Sequence, residues 1–189
     1  MRFVLRFQRT MSRWGLSDLL YKVCGAPLYT LFRELVWRRN EVLVYRKDRL
    51  PPKHSGYFLL CNHISMAEAP TLASMVFPKP LWFPAKAEFY KGWLSALIWQ
   101  LGTATRTFPV RRGERDAEAI GLMEQFLARG DSVLLFPEGT RSKDGALLPG
   151  KKGVGMIIHN ARPTVVPVYV RGFEPIWPHR KILPWGTGH

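Results

Sequence analysis

Residues 132–142 read Ser-Val-Leu-Leu-Phe-Pro-Glu-Gly-Thr-Arg-Ser, so an apolar run leads directly into a polar turn. Earlier in the chain, residues 57–63 repeat this arrangement as Tyr-Phe-Leu-Leu-Cys-Asn-His. Short, uniformly apolar runs are typical of strands that are buried on both faces, as in parallel sheets. Residues that directly follow such strands lie at the carboxyl edge of the sheet, where open α/β proteins carry their functional groups. The two stretches therefore predict an α/β fold with candidate functional residues at this edge.

The rest of the chain from residue 41 onward alternates between strand-like and helix-like segments. Strands are predicted at 41–45, 57–61, 81–85, 105–110, 132–136 and 164–170. Helices are predicted near 66–76, 88–101, 114–129 and 151–160, and Gly130 supplies a C-terminal stop for the third helix. This order predicts one α/β domain over 41–189, with a mostly parallel central sheet flanked by helices.

Residues 1–40 form a basic segment with a different pattern. Apolar residues at 16, 19, 20 and 23, and again at 28, 31, 32 and 35, have helical spacing. Pro27 predicts a separation into two helices. A basic amphipathic helix pair flanked by tryptophans is typical of a segment that docks on a membrane interface. The alternative is a helix pair that packs only on its own domain.

The composition limits the classes of partner. An apolar content of 47% excludes a disordered chain, and a formal charge of +14 indicates an anionic partner or surface. The basic residues form no Lys/Arg-rich tract and match no nucleic-acid motif, so we expect no nucleic acid partner. Seven Trp and eleven Phe beside this charge suit an anionic membrane surface at least as well.

The sequence also bears on cellular location. No stretch of eighteen uncharged apolar residues occurs, so no transmembrane helix is predicted. Cys24 and Cys61 are too few for a disulfide framework, which favours a reduced, cytoplasmic setting. We therefore expect a peripheral or monotopic protein on the cytoplasmic face of a membrane. Residues 185–189 do not complete a recognisable element, and a truncated C-terminus is a hypothesis that this ending suggests.

Two motifs carry a resemblance to a known family. Asn62-His-Ile-Ser-Met-Ala-Glu68 resembles the His-x-x-x-x-Asp motif of the glycerolipid acyltransferases, and Phe136–Ser142 resembles their Phe-Pro-Glu-Gly-Thr-Arg-Ser motif at every position. The resemblance covers roughly residues 41–175 and is closest to the 1-acyl-sn-glycerol-3-phosphate acyltransferases. It implies transfer of an acyl group from acyl-CoA or acyl carrier protein to 1-acyl-sn-glycerol 3-phosphate, giving phosphatidic acid. This reaction needs no metal and no cofactor beyond the acyl donor.

The first motif supplies the candidate catalytic residues, His63 and Glu68. A histidine can accept a proton from an alcohol near neutral pH, and the resemblance implies that His63 is the general base. Glu68 stands where the family has Asp, which implies that it hydrogen-bonds the far ring nitrogen and fixes the tautomer. Ser65-x-x-Glu68 is also a capping-box pattern, in which Glu68 only closes the start of a helix. Both roles remain open from the sequence.

The other motifs supply candidate binding residues for the acceptor phosphate. The resemblance implies that Glu138, Gly139, Thr140 and Arg141 form the acceptor turn, where glycine permits a tight backbone and arginine offers a planar fork to phosphate. Residues 107–113, Thr-Phe-Pro-Val-Arg-Arg-Gly, resemble the second family motif and add two adjacent guanidinium groups. Further candidates from these comparisons of motifs are Arg111, Arg112 and Lys86. Residues 166–170 resemble the fourth motif, with the expected role of a pocket wall.

Three other readings of the sequence compete with this one. The same chemistry could act on another lysolipid acceptor, such as a lyso-ornithine lipid. The chain could instead be a lipid-binding relative that Glu68 or a truncation has disabled. A basic nucleic-acid-binding domain comes last. No Ser or Cys nucleophile lies in a motif, which favours direct transfer over an acyl-enzyme intermediate.

Overall fold

The computed structural model describes residues 15–52, 55–76, 79–90, 106–111 and 116–177. Among these residues, five strands form one sheet in the order β3-β2-β4-β1-β5. The strands are β1 (Phe58–Cys61), β2 (Leu81–Lys86), β3 (Thr107–Val110), β4 (Ser132–Leu135) and β5 (Val165–Val168). Each neighbouring pair runs parallel, which confirms the predicted parallel sheet.

Helices flank this sheet. They are α1 (Leu16–Leu20), α2 (Ala26–Arg39), α3 (Glu68–Met75), α4 (Ala117–Ala128) and α5 (Lys152–Ala161), with short 3₁₀ turns at Lys47–Arg49 and Ala87–Tyr90. Helix α4 begins where the side chain of Asp116 accepts the backbone N–H of Ala119 at 3.2 Å. It ends just before Gly130, whose φ of 79° is the left-handed conformation expected of a glycine stop.

Side chains of the strands alternate between the two faces of the sheet, and each face carries a packed cluster. On one face, Phe58 and Trp82 pack against Phe126 of α4 and Ile157 of α5. The rings of Trp82 and Phe126 stack with centroids 4.1 Å apart. On the other face, Leu59 and Cys61 pack with other strand residues against Leu72 of α3. In β1 and β4 both faces are mostly buried, so these strands are mainly apolar rather than alternating, as the sequence predicted, whereas Val165 and Pro167 of the edge strand β5 are exposed.

The N-terminal helices lie on the α3 side of the sheet. Segments α1 and α2 are joined by a π-helical stretch, Tyr21–Gly25, directly before Pro27. A proline lacks the N–H that an α-helix needs and its ring collides with the carbonyl one turn earlier, so the chain widens into a π turn there. The predicted pair of helices is present, but their junction is this π turn rather than a break.

Arg106 links α1 to the core of the sheet. Its side chain is buried, and its guanidinium lies 5.2 Å from the ring centroid of Tyr21 and 4.8 Å from that of Trp82. It also forms an ion pair with Asp18 on α1. Cation–π contacts of a buried arginine are among the stronger ones because the cation is shielded from water. The start of the N-terminal helix is thereby attached to the domain.

Two sequence predictions need correction or fall outside the description. Residues 41–46 form no regular element and pair with no strand among the described residues, so the predicted strand at 41–45 is wrong. Leu43 and Tyr45 in this stretch are exposed, and β-prone residues form a strand only where an edge is available to pair with them. Of the predicted helix at 88–101, only the 3₁₀ turn at its start is described.

Candidate active site

His63 follows β1 by two residues and lies at the carboxyl edge of the sheet. Its ring is 9% exposed, and its Nδ1 lies 2.6 Å from Oε2 of Glu68, a side chain that is fully buried. Because an ionised carboxylate only accepts hydrogen bonds, Nδ1 is the donor in this contact. The other ring nitrogen, Nε2, therefore carries the lone pair that can accept a proton.

The second oxygen of Glu68 is also fully engaged. Oε1 accepts the backbone N–H groups of Ile64 at 2.6 Å and Ser65 at 2.7 Å. Glu68 is the first residue of α3, so these bonds hold the loop against the start of the helix. The hydroxyl of Ser65 accepts from the N–H of Ala67 at 3.3 Å. Both contacts that the sequence left open are thus present, since one carboxylate oxygen contacts the His63 ring and the other accepts the N–H of Ser65 before the helix.

The turn at 136–142 lies beside His63 because β4 is the neighbour of β1 in the sheet. Glu138 Oε1 accepts the backbone N–H of His63 at 3.2 Å, and the N–H of Ser142 donates to the carbonyl of His63 at 2.7 Å. The ring of Phe136 stacks on the imidazole, with centroids 3.9 Å apart and planes 15° from parallel. The backbone and the ring of His63 are therefore both held by this turn.

The turn also carries polar groups that could contact a ligand. Glu138 is 4% exposed, and its Oε2 has no hydrogen-bond partner among the described residues. A buried carboxylate oxygen in this state is suited to accept a ligand's hydroxyl. Gly139 has a φ of 67°, which a glycine adopts without strain, and Thr140 beside it is exposed.

Arg141 is the partly buried cation of the turn. Burial lowers the pKa of its guanidinium, and the Glu68 carboxylate opposes this shift. An arginine starts from so high a pKa that it remains charged. The site therefore combines two buried carboxylates with one guanidinium that is still partly open to solvent.

Lys86 and Arg111 lie further along the same edge. Lys86 ends β2, which pairs in parallel with β3, and Arg111 directly follows β3. Both residues are exposed, and the backbone N–H of Arg111 donates to Asp116 at 2.9 Å. The described structure therefore brings Lys86, Arg111 and the 138–141 turn to one edge of the sheet. Arg112 lies outside the described residues.

Asn62 has a structural role that the sequence analysis did not assign. Its amide nitrogen donates to the carbonyl of Val170 at 2.9 Å, and its Oδ1 accepts the N–H of Val170 at 2.7 Å. The side chain thus acts as a peptide group and extends the pairing of β1 with β5 beyond the end of β1. An amide residue between a strand and a candidate base is the signal that could have indicated this role.

Cys61 is the other reactive group near His63. Burial raises the pKa of its thiol, and the carboxylates of Glu68 and Glu138 raise it further. A thiol in this environment stays neutral and is a poor nucleophile. Across the described ranges, no three side chains of the His, Cys, Asp and Glu types converge as metal ligands would. No helix in the described part of the chain is long and apolar enough to cross a bilayer.

Comparison with known proteins identifies relatives of this chain. A 1-acyl-sn-glycerol-3-phosphate acyltransferase of Bacillus subtilis is 27% identical over 154 residues, covering 81% of this chain and 72% of that protein. The coconut (Cocos nucifera) enzyme of the same name is 32% identical over 148 residues, covering 77% of this chain and 46% of its own length. A lyso-ornithine lipid O-acyltransferase of Pseudomonas aeruginosa is 37% identical over 90 residues, covering 47% of this chain and 32% of that protein. The chain thus spans less than two thirds of the coconut and Pseudomonas proteins.

Among solved structures, the 1-acyl-sn-glycerophosphate (LPA) acyltransferase PlsC of Thermotoga maritima has the same fold. The two structures superpose with a TM-score of 0.63 at 20% sequence identity, over 95% of this chain and 76% of that one. This similarity confirms the α/β architecture. The family model described as Acyltransferase matches residues 41–171, which include both loops of the site. Since this match covers well over half of the chain, the protein belongs to the Acyltransferase family.

Proposed function

We propose that this protein transfers a fatty acyl group from a thioester donor to the free hydroxyl of 1-acyl-sn-glycerol 3-phosphate, giving phosphatidic acid. The observation that carries the proposal is the 2.6 Å contact between His63 Nδ1 and the buried Glu68 carboxylate, held beside the 138–141 turn. The activity for which the Bacillus and coconut relatives are named supports the acceptor. The donor is acyl-CoA or acyl carrier protein.

The chemistry needs one base and no covalent intermediate. His63 Nε2 removes the proton from the acceptor hydroxyl while that oxygen attacks the thioester carbonyl. The tetrahedral intermediate collapses, the carbon–sulfur bond breaks, and the imidazolium returns the proton to the departing thiolate. Glu68 stabilises the imidazolium formed in between and keeps the ring in the required tautomer. Direct transfer also agrees with the raised pKa of Cys61, which leaves that thiol protonated.

The acceptor is held through its phosphate and its hydroxyl. Arg141 provides a partly buried guanidinium that can form paired hydrogen bonds with phosphate. The unpartnered Oε2 of Glu138 is available for a glycerol hydroxyl close to His63. Lys86 and Arg111 add positive charge further along the edge, and by the motif resemblance Arg112 does so as well.

A second class of acceptor to be tested is a lysolipid without a phosphate group. The Pseudomonas relative acts, by its name, on a lyso-ornithine lipid, which offers an amino acid head group in place of a phosphate. The partly buried Arg141 favours the phosphate, because a desolvated guanidinium gains most from an anion that forms two hydrogen bonds with it. Phosphate is therefore the preferred acceptor group in this proposal.

Membrane docking belongs to the same proposal. Helices α1 and α2, with the π-helical stretch that joins them, expose large apolar side chains that repeat at helical spacing, while their other face packs on the domain. The exposed residues are Leu16, Leu19, Val23, Leu28, Leu31 and Leu35. Arg33, Arg38 and Arg39 accompany them on α2. An exposed apolar stripe with basic neighbours fits the headgroup region of an anionic membrane, and a cytoplasmic leaflet supplies such lipids.

The function is tested by offering purified protein a panel of lysolipids with acyl-CoA or acyl carrier protein and reading products by mass spectrometry. Wild type is expected to convert lysophosphatidic acid. His63→Ala is expected to lose about 10²–10⁴-fold in turnover, because the general base is removed. The variant should still fold but melt at a lower temperature than wild type, because Glu68 Oε2 loses its partner. Absence of acyl transfer to every lysolipid by folded wild type would overturn the proposal.

The role of Glu68 is tested with Glu68→Gln. The amide oxygen is expected to keep the bonds to Ile64 and Ser65, which turns the NH₂ group toward His63. Nδ1 must then accept a hydrogen bond, the ring proton moves to Nε2, and the base is blocked. We expect turnover to fall on the order of 10²–10⁴-fold, as a wrong tautomer does in triad enzymes.

Two further variants act as controls for Glu68→Gln. Glu68→Asp keeps the charge and restores the family's residue, so it should retain or raise activity. Glu124→Gln on α4 makes the same chemical change away from the site and should leave turnover unchanged. A Glu68→Gln enzyme with normal turnover and only a lower melting temperature would reduce Glu68 to a helix cap.

The phosphate contact is tested with Arg141→Ala. Loss of a charge-assisted contact costs about 1.5–3 kcal/mol, so the KM for lysophosphatidic acid should rise about 10–100-fold. The KM for a lysolipid without phosphate should change little. Arg129→Ala removes one positive charge before the start of β4, at the opposite end of the sheet, and serves as the control. An unchanged KM in Arg141→Ala would show that the phosphate binds elsewhere.

Membrane docking is tested with Leu31→Glu and Leu35→Glu in one variant. Both side chains are exposed, so the fold should be unaffected, while the partition onto anionic vesicles should fall on the order of 10–100-fold as buried apolar area is lost. Met156→Glu on α5 changes an exposed apolar residue on the opposite layer and should bind vesicles as wild type does. Equal vesicle binding by all three proteins would exclude this face as the anchor.

A further inference from the structure

The inner face of helix α2 packs directly against the loop that carries His63 and Glu68. Val36 of α2, Ala67 and Ile176 form one buried cluster, with exposed fractions of 4%, 0% and 3%. Ala67 immediately precedes Glu68 and is the cap residue of α3. Helix α2, which is proposed to dock on the membrane, therefore also packs against the loop that carries His63 and Glu68.

A second element closes the cluster from the C-terminal side. After β5 the chain turns back at residues 173–177, and the ring of Trp177 lies 6.4 Å from that of Phe32 on α2. The hydroxyl of Ser65 donates to the carbonyl of Trp177 at 3.2 Å. The backbone N–H of the same serine is bound by Glu68 Oε1. Ser65 thus links the backbone of Trp177 to the Glu68 carboxylate through two hydrogen bonds.

These contacts matter because Glu68 has little tolerance for displacement. Its two oxygens make three contacts of 2.6–2.7 Å in a fully buried position. Loop residues 64–67 set the position of the two N–H groups, and a packed interior transmits any shift of Ala67 to them. A displacement of about 1 Å at a catalytic group can cost on the order of 10²-fold in rate.

We propose that Val36 and Trp177 are positioning residues that hold Glu68 in register with His63. This inference rests on the proposed roles of His63 and Glu68. It gives α2 two separate tasks on different faces, since Leu31 and Leu35 are exposed while Phe32 and Val36 support the catalytic loop. Rate and membrane binding are then separable by substitution on one helix.

The test compares Val36→Ala and Trp177→Ala with wild type in detergent micelles, where vesicle binding does not limit turnover. We expect kcat to fall about tenfold or more while KM stays within about twofold, since the lost alignment acts on the transition state. Trp177→Phe keeps an aromatic ring against Phe32 and should restore most of kcat. Leu122→Ala, a buried truncation in α4 on the opposite face of the sheet, should lower the melting temperature without lowering kcat.

A double-mutant cycle shows whether the effect passes through Glu68. Val36→Ala should lower kcat much less in a Glu68→Gln background than in wild type, because the contact it positions is already lost. Equal factors in both backgrounds, or a Leu122→Ala loss of kcat equal to that of Val36→Ala, would overturn the inference. If wild type transfers no acyl group at all, the proposed function fails instead. An active wild type with a fully active Val36→Ala removes only the positioning role.

Discussion

The buried carboxylate of Glu68 is the constraint on which the arrangement of the site depends. An ionised carboxylate removed from water costs several kcal/mol unless its oxygens are satisfied. Here one oxygen is bound by the His63 ring and the other by two backbone N–H groups of the loop that joins β1 to α3. In most other conformations of the loop, the buried carboxylate of Glu68 would lose its hydrogen bonds. The position of His63 therefore follows from the hydrogen bonds that Glu68 needs.

The parallel sheet explains why the 136–142 turn lies beside His63. Strands β1 and β4 are far apart in sequence but adjacent in the sheet, and parallel neighbours end at the same edge. The turn after β4 is then close enough for Glu138 and Ser142 to bond the backbone of His63. Two loops that are distant in the sequence are thereby tied together, and the backbone of His63 is held in place.

Much of the site could be predicted because its signals are local. Two short patterns can be recognised in the sequence: a histidine directly after one buried strand, and a Glu-Gly-Thr-Arg turn after another buried strand. The structure places these two patterns side by side. Glu68 remained ambiguous because helix capping and ring contact need the same spacing, and only coordinates show that both occur. The strand at 41–45 was wrong because β propensity does not reveal whether an edge is available. The packing of Val36 with Ala67 could not be predicted because it joins distant segments that carry no shared motif.

The charges along this edge bear on the phosphate acceptor proposed above. Glu68 and Glu138 are buried beside His63, where Glu68 contacts the ring and Glu138 accepts the backbone N–H. The same carboxylates would repel a phosphate placed next to the ring. Arg141 lies on the turn, near enough for the Glu68 carboxylate to act on its pKa, whereas Lys86 and Arg111 lie further along the edge. In the proposed reaction, a phosphate bound toward Lys86 and Arg111 would lie away from the carboxylates, and the neutral hydroxyl end of the acceptor would approach Nε2. The separation of charge along the edge would then orient the acceptor as well as bind it.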